Sequence, residues 1–279
     1  MDRYALIGHP VEHSTSPLIH AAFARQTQQE LNYQALLAPL DGFSDTVRMF
    51  RAEGGRGANI TVPFKIEACS IATRLTERAK LAGAVNTLTF GDDVIIGDNT
   101  DGIGLVRDLI INLGCPLAGR HVLLLGAGGA ARGAIFPLFQ TKPVSLTIAN
   151  RSIERAQELR AAFAPHAGQT AFTAGGFEDL GGWEFDVVIN ATSASLKKEA
   201  LHLPRNIFAP DAFAYDMMYG ASGATPFLAW ARTAGVARLS DGLGMLVEQA
   251  AESFALWRGV RPNSASVLSN LRRKLASNG

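Results

Sequence analysis

The stretch HVLLLGAGGAARGAI, residues 121–135, leaves its part of the chain few options. An apolar run of strand character leads straight into Gly126, Gly128 and Ala131, spaced G-x-G-x-x-A, and the segment that follows reads as a helix. In that setting each position has a task. Gly126 permits a tight turn, Gly128 lets backbone approach a pyrophosphate, and Ala131 lets helix pack closely on strand. Gly129 and Ala130 complete the turn, so that the helix N-terminus faces the phosphates of a dinucleotide. A glycine turn in an α/β protein that holds no nucleotide is the plain alternative.

The rest of the chain supplies the layers that such a unit needs. Up to about residue 101, RYALIG, NYQALLAPL, GANITV, AVNTLTF and DVIIGDN read as strands. PLIHAAFARQT and FSDTVRMFRAE read as amphipathic helices between them, and IGLVRDLIINLG as a helix closing on Gly114. A second alternation opens at HVLLLG and continues through SLTIAN, ERAQELRAAF, DVVINAT and AFAYDMM, before helices in GMLVEQAAESFALWRG and SVLSNLRRKLA. Two α/β domains are therefore expected. The 279 residues, 47% hydrophobic and 18% charged, hold enough apolar material for both cores.

Charge excludes some partners. With 26 Lys and Arg against 25 Asp and Glu, the net charge of +1 gives no broad attraction for nucleic acid or an anionic membrane, so any bound anion must be gripped locally. No stretch reaches the roughly 20 apolar residues that span a bilayer, and the opening MDRYALIGHP holds no apolar leader, so a cytoplasmic location is expected. Cys69 and Cys115 stand alone and read as small buried residues; the histidines are scattered, and no metal is expected.

The cofactor type follows from the second strand of the dinucleotide unit. An NAD-binding domain places Asp or Glu at its end, about 20 residues past the glycines, to hold the ribose hydroxyls. Here the strand ends in IANRSIERA, with Asn150, Arg151 and Ser152 in place of the acid and Arg155 one helical turn beyond. Guanidinium groups offer paired donors and positive charge to a 2′-phosphate, so NADP is favoured over NAD. The plainer reading is a solvated pair of arginines, although cations at a helix start oppose its dipole.

HSTSP (13–17), NITVPFK (59–65), GAVNTL (83–88), DNTDG (98–102), GAGGAA (126–131), NRS (150–152), NATS (190–193), YDMMYG (215–220), TPF (225–227) and DGLGMLVEQ (241–249) occur in this order along the chain. Together they resemble the shikimate dehydrogenase family over nearly the whole length. The resemblance implies a two-domain α/β protein: a discontinuous substrate domain, residues 1–102 and 241–279, and a Rossmann-type NADP-binding domain, 103–240. It implies reduction of 3-dehydroshikimate to shikimate, a step of aromatic amino-acid biosynthesis, by a monomer or homodimer. An NAD-dependent quinate/shikimate dehydrogenase and a catalytically silent NADP-binding sensor are the alternatives.

The resemblance also implies roles. Lys65 and Asp101 match the family's catalytic pair, and the chemistry agrees: hydride reduction of a carbonyl leaves an alkoxide that needs a positioned proton donor. Ser14 and Ser16 match the carboxylate-binding serines, though both also suit capping of a helix at Pro17. Thr61, Asn86 and Gln249 match the contacts to the ring hydroxyls. Asn190, Thr192, Ser193, Met217 and Tyr219 match positions beside the nicotinamide, Tyr219 being assigned to the substrate as well, with Gly242 and Met245 closing that pocket. One departure stands out. Ser195 occupies a position where the family usually has glycine, which suggests a reshaped loop.

Overall fold

The computed structural model describes residues 1–192, 201–220 and 223–277. The chain divides into two compact units, Met1–Gly104 with Val247–Ser269 and Leu105–Leu246 with Asn270–Gly279. The division departs from the expected domains at the C-terminal end, where the whole tail was assigned to the first. One ion pair of the tail lies within the second unit. Arg272 donates to both oxygens of Asp241, at 2.9 and 2.6 Å, and the Asp241 side chain is fully buried. A buried carboxylate needs such a partner, and that pairing ties the last turns of the chain to the second unit.

The first unit is built on β1 (Asp2–Gly8), α1 (Ser16–Thr27), β2 (Leu31–Leu37), α2 (Phe43–Ala52) and β3 (Gly55–Ile60). Short α3 (Glu67–Ile71), β4 (Arg74–Leu75) and α4 (Glu77–Ala82) follow, then β5 (Thr87–Phe90) and β6 (Ile95–Asp98). The sheet order is β2-β1-β3-β5-β6-β4. Strands β1, β2 and β3 are parallel, while β5 runs antiparallel to both β3 and β6. Two reversals restore direction, so β6 runs with β1 and β3. The carboxyl ends of β1, β3 and β6 and the amino end of β5 therefore share one edge of the sheet. Beneath that edge, Ile7, Ala58, Ile60 and Leu88 pack against Phe43, Val47, Phe50 and Phe64 in a closed apolar core.

The second unit begins within α5 (Asp101–Arg107), which runs into a π-helical turn at Asp108–Asn112 and stops before Gly114, whose φ of 58° suits glycine. Then come β7 (His121–Leu125), α6 (Gly129–Gln140), β8 (Ser145–Ala149), α7 (Ile153–Phe163), β9 (Ala171–Gly175), β10 (Phe185–Asn190), β11 (Phe208–Asp216), α8 (Pro226–Thr233) and β12 (Arg238–Asp241). Helices α9 (Leu243–Arg258) and α10 (Ser264–Ser277) end the chain. The second sheet is wholly parallel in the order β12-β11-β10-β7-β8-β9. Counted within the unit, that is the doubly wound dinucleotide-binding order, with its crevice where the order reverses, between β7 and β10. Its central strands are continuous apolar runs because both faces are covered. No helix among the described residues is long and apolar enough to cross a membrane.

Candidate active site

The shared edge of the first sheet collects most of the residues singled out from sequence. β1 leads to Ser14 and Ser16, β3 leads to Thr61 and Lys65, β6 leads to Asp101, and Asn86 immediately precedes β5. The Lys65 ammonium donates to Asp101 Oδ2 at 2.6 Å, with the lysine side chain 32% exposed and the aspartate 13%. Asn86 Nδ2 donates to the other oxygen, Oδ1, at 2.8 Å, so both carboxylate oxygens are held. The same amide reaches Gln249 Oε1 on α9 at 3.4 Å. Its orientation is fixed from behind, since Asn86 Oδ1 accepts from the Thr100 backbone N–H at 2.8 Å and a flipped amide would set donor against donor. Asn86 itself is buried.

Thr61 sits where β3 ends, its N–H donating to the Ile7 carbonyl at 3.0 Å. Gly8 makes that approach possible, because a Cβ there would lie 2.3 Å from the Thr61 methyl. Ser14 Oγ accepts from the Ser16 N–H at 3.2 Å and donates to Ser16 Oγ at the same distance. This corrects the capping alternative in detail: α1 starts at Ser16, with Thr15 at the N-cap and Pro17 inside the first turn. The Thr15 hydroxyl is buried without a partner among the described residues, and no acidic residue occupies that first turn. The two serine hydroxyls therefore lie together at the N-terminus of α1, with Ser16 buried.

In the second unit the glycine turn has the geometry a dinucleotide requires. Gly126 adopts φ of 107°, and a Cβ there would press on the Ala191 backbone at 3.2 Å. Gly128 is the N-cap of α6, and a Cβ at Gly128 or Gly129 would meet nothing within 4 Å. Among the described residues the space above the turn is thus clear, while Ala131 is wholly buried and Ala130 faces outward. At the end of β8, Asn150 Nδ2 donates to the Ser152 carbonyl at 2.9 Å, closing the turn into α7. Ser152 Oγ donates to Glu154 at 2.8 Å and holds that carboxyl below its ordinary range. Arg151 and Arg155 are exposed, and neither guanidinium meets a carboxylate among the described residues. Clear glycines, an unobstructed helix start and two unpaired cations fit a dinucleotide bearing an extra phosphate.

At the crevice, buried Asn190 donates to Asp216 Oδ1 at 3.1 Å and accepts from the Thr192 hydroxyl at 2.7 Å. Asp216 also accepts from the Met218 N–H and the Thr225 hydroxyl, at 3.0 and 2.6 Å, locking the loops after β10 and β11 together. Met217 donates its N–H to the Asn190 carbonyl at 2.9 Å, Tyr219 is exposed, and Met245 is buried. Gly242 has a steric reason to be glycine, since a Cβ would lie 2.1 Å from the Met217 carbonyl oxygen. Below the crevice Tyr215 donates to buried Asp108 at 2.7 Å, and burial followed by that neighbouring carboxylate pushes its phenol well up. Ser193 and Ser195 lie outside the described residues. Sequence reasoning passed over Thr100, Asp216 and Asp108; the first two lie inside DNTDG and YDMMYG, which were signals enough.

A doubly wound dinucleotide unit, joined in one chain to a mixed α/β unit that presents a lysine–aspartate pair, defines a class of two-unit nucleotide-dependent α/β proteins. Residues 6–88 match the shikimate dehydrogenase substrate binding domain, 111–200 match shikimate/quinate 5-dehydrogenase, and 242–269 match the shikimate 5′-dehydrogenase C-terminal domain. The chain is 62% identical over 275 residues to shikimate dehydrogenase (NADP(+)) of Aromatoleum aromaticum, covering 99% of this chain and 98% of that one. Among solved structures, an Ael1 enzyme from Pseudomonas putida is 51% identical with a TM-score of 0.92, covering 97% of this chain and 98% of its own. Shikimate 5-dehydrogenase of Thermus thermophilus in complex with shikimate is 33% identical with a TM-score of 0.85, covering 99% of each. The chain belongs to the shikimate dehydrogenase family.

Proposed function

We propose that this chain is an NADP-dependent oxidoreductase that interconverts 3-dehydroshikimate and shikimate within aromatic amino-acid biosynthesis. The observation that carries this reading is the 2.6 Å contact of Lys65 with Asp101, braced by Asn86 at the carboxyl ends of the strands. NADPH, when bound, supplies the hydride that goes to the ring carbonyl carbon, and the carbonyl oxygen takes up one proton. Lys65 provides that proton. As an ammonium, Lys65 stabilises the developing alkoxide and then protonates it. Asp101 fixes the ammonium in place and, in the reverse direction, favours return of the proton to the amine.

Ser14 and Ser16 hold the substrate carboxylate with neutral donors, and Thr61, Asn86, Gln249 and Tyr219 take the ring hydroxyls. Gly126, Gly128, Gly129, Ala130 and Ala131 cradle the pyrophosphate; Asn150, Arg151, Ser152 and Arg155 take the 2′-phosphate; Thr192, Ser193, Met217, Gly242 and Met245 surround the nicotinamide. We assign the protein to the cytoplasm, acting as a monomer or homodimer. Steady-state rates with shikimate and with quinate, each against NADP and NAD, test the function. Shikimate with NADP should give the highest kcat/KM of the four; a higher value for quinate or for NAD overturns that part of the proposal, and no turnover with any pair overturns all of it.

The carboxylate clamp gives its own expected result. Ser14→Ala combined with Ser16→Ala should raise KM for shikimate by roughly two to four powers of ten, as two hydrogen bonds to a charged group are lost, and leave the Kd for NADP in place. A substrate analogue lacking the carboxylate should bind the variant and the wild type equally. Discrimination by that analogue would mean the serines serve only the start of α1.

A further inference from the structure

A line of polar side chains leads from β2 to the lysine–aspartate pair, and its hydrogen bonds all point one way. The Tyr33 hydroxyl donates to Asn59 Oδ1 at 2.8 Å. Asn59 Nδ2 donates to Thr87 Oγ1 at 3.1 Å, Thr87 Oγ1 donates to Asn86 Oδ1 at 2.9 Å, and Asn86 Nδ2 donates to Asp101 Oδ1 at 2.8 Å. Asn59, Asn86 and Thr87 are buried, and Thr87 is wholly so.

Donor accounting shows why Thr87 is the critical link. Its hydroxyl has one proton. The Asn59 amide nitrogen brings hydrogens of its own, so Thr87 accepts from it and has its proton left for Asn86. Ser253 Oγ lies 2.8 Å from Thr87 and 2.9 Å from the Asn59 amide nitrogen, and it reaches the Gln249 carbonyl at 3.0 Å. The Ser253 proton has that carbonyl to go to, which leaves the polarity of the line intact. Asn86 Oδ1 then accepts from the Thr100 N–H and the Thr87 hydroxyl, with the Thr100 hydroxyl also within 3.2 Å, so its amide plane is pinned. Hydrogen bonds aligned donor to acceptor polarise one another in a dry interior. The far end of this line is the carboxylate that holds Lys65.

We infer that Thr87 is a positioning residue for the reaction: its hydroxyl links Tyr33 and Asn59 to Asn86, fixing the Asp101 carboxylate and through it the Lys65 ammonium. This rests on the role of Lys65 proposed above. Thr87 acts through Asn86, which orients Asp101 and also takes a ring hydroxyl, so its loss should appear mainly in kcat, with a much smaller rise in KM.

Thr87→Val keeps the shape and removes the hydroxyl, whereas Thr87→Ser keeps the hydroxyl and removes the methyl. Expected for Thr87→Val is a kcat lower by about ten- to hundredfold, the range typical of orienting partners one layer behind a reacting group, with KM for shikimate within about threefold. Thr87→Ser should recover most of the rate. A residue that served packing alone would show the opposite order. Tyr33→Phe, which deletes only the first donor, should lower kcat by a smaller factor and gives a second reading should Thr87→Val fail to fold. In a Lys65→Ala background Thr87→Val should add little. Wild-type turnover in folded Thr87→Val, a Thr87→Ser variant as slow as Thr87→Val, or an unchanged kcat in Tyr33→Phe where Thr87→Val does not fold would overturn the inference. Failure of the wild type to oxidise shikimate with NADP would instead strike the proposed function.

Discussion

Lys65→Ala is expected to lower kcat for shikimate oxidation by about two to four powers of ten, the usual contribution of a positioned acid or base, while the Kd for shikimate changes only a few-fold. The asymmetry comes from what the ammonium touches. In the resting protein its partner is Asp101 at 2.6 Å, and that carboxylate keeps Asn86 on its other oxygen when the lysine is gone. The hydroxyl contacts proposed for Asn86 would therefore stay in place, and the loss falls on the step in which charge develops on oxygen. Titration calorimetry with shikimate beside steady-state kinetics separates the two effects. A variant that turns over normally, or one that loses binding and rate in equal measure, would take the acid/base role away from Lys65.

Arg151→Ala combined with Arg155→Ala is the other large effect, and it is one of cofactor choice. Charge-assisted hydrogen bonds are worth about 1.5–3 kcal/mol each, so two of them place the expected loss of NADP affinity at roughly two to four powers of ten, less what solvent screening removes at an exposed loop. NAD lacks the 2′-phosphate and should bind both proteins alike. Since neither guanidinium has a carboxylate partner among the described residues, the substitutions break no ion pair that the fold uses. The wild-type preference for NADP should shrink as salt rises, whereas the double variant should respond weakly. Fluorescence titrations of both cofactors at low and high ionic strength make the comparison. An unchanged preference in the variant would move the reading of the phosphate to Ser152 or to backbone amides.

The parts of this fold that were legible in the sequence are those whose signals are local. HVLLLG followed by G-x-G-x-x-A places a strand, a turn and a helix within fifteen residues, and the structure has β7, Gly126 at positive φ and α6 in that order. Less legible were elements too short for a period. β9 and β12 are five and four residues long, and α8 is eight, though Thr225 followed by Pro226 was a start signal: the Thr225 hydroxyl accepts from the Leu228 N–H at 3.3 Å. The helix read through residue 114 breaks instead into a π-helical turn at Asp108, where the carboxylate turns inward to Tyr215. No spacing in the sequence announces that contact.

The site divides along the same line. Arg151 was readable because the residue it replaces belongs to a known strand end. The pairing of Lys65 with Asp101 spans 36 residues and came from resemblance alone, because no local pattern joins the end of β3 to the end of β6. Thr87 lies within GAVNTL, where no local signal singles it out. Its neighbours Asn59 and Ser253 lie 28 and 166 residues away, and only the antiparallel pairing of β3 with β5 and the return of α9 bring them together.

A double-mutant cycle across Lys65 and Asp101 asks whether the two act as one device. It compares kcat at saturating shikimate and NADP for the wild type, Lys65→Ala, Asp101→Asn and the double variant. Residues that work as a unit are strongly non-additive, so each single variant should lose most of the rate and the double variant should be no more than a few-fold below the slower single one. If the two losses simply multiply, Lys65 and Asp101 act independently, and the 2.6 Å contact between them is a structural ion pair.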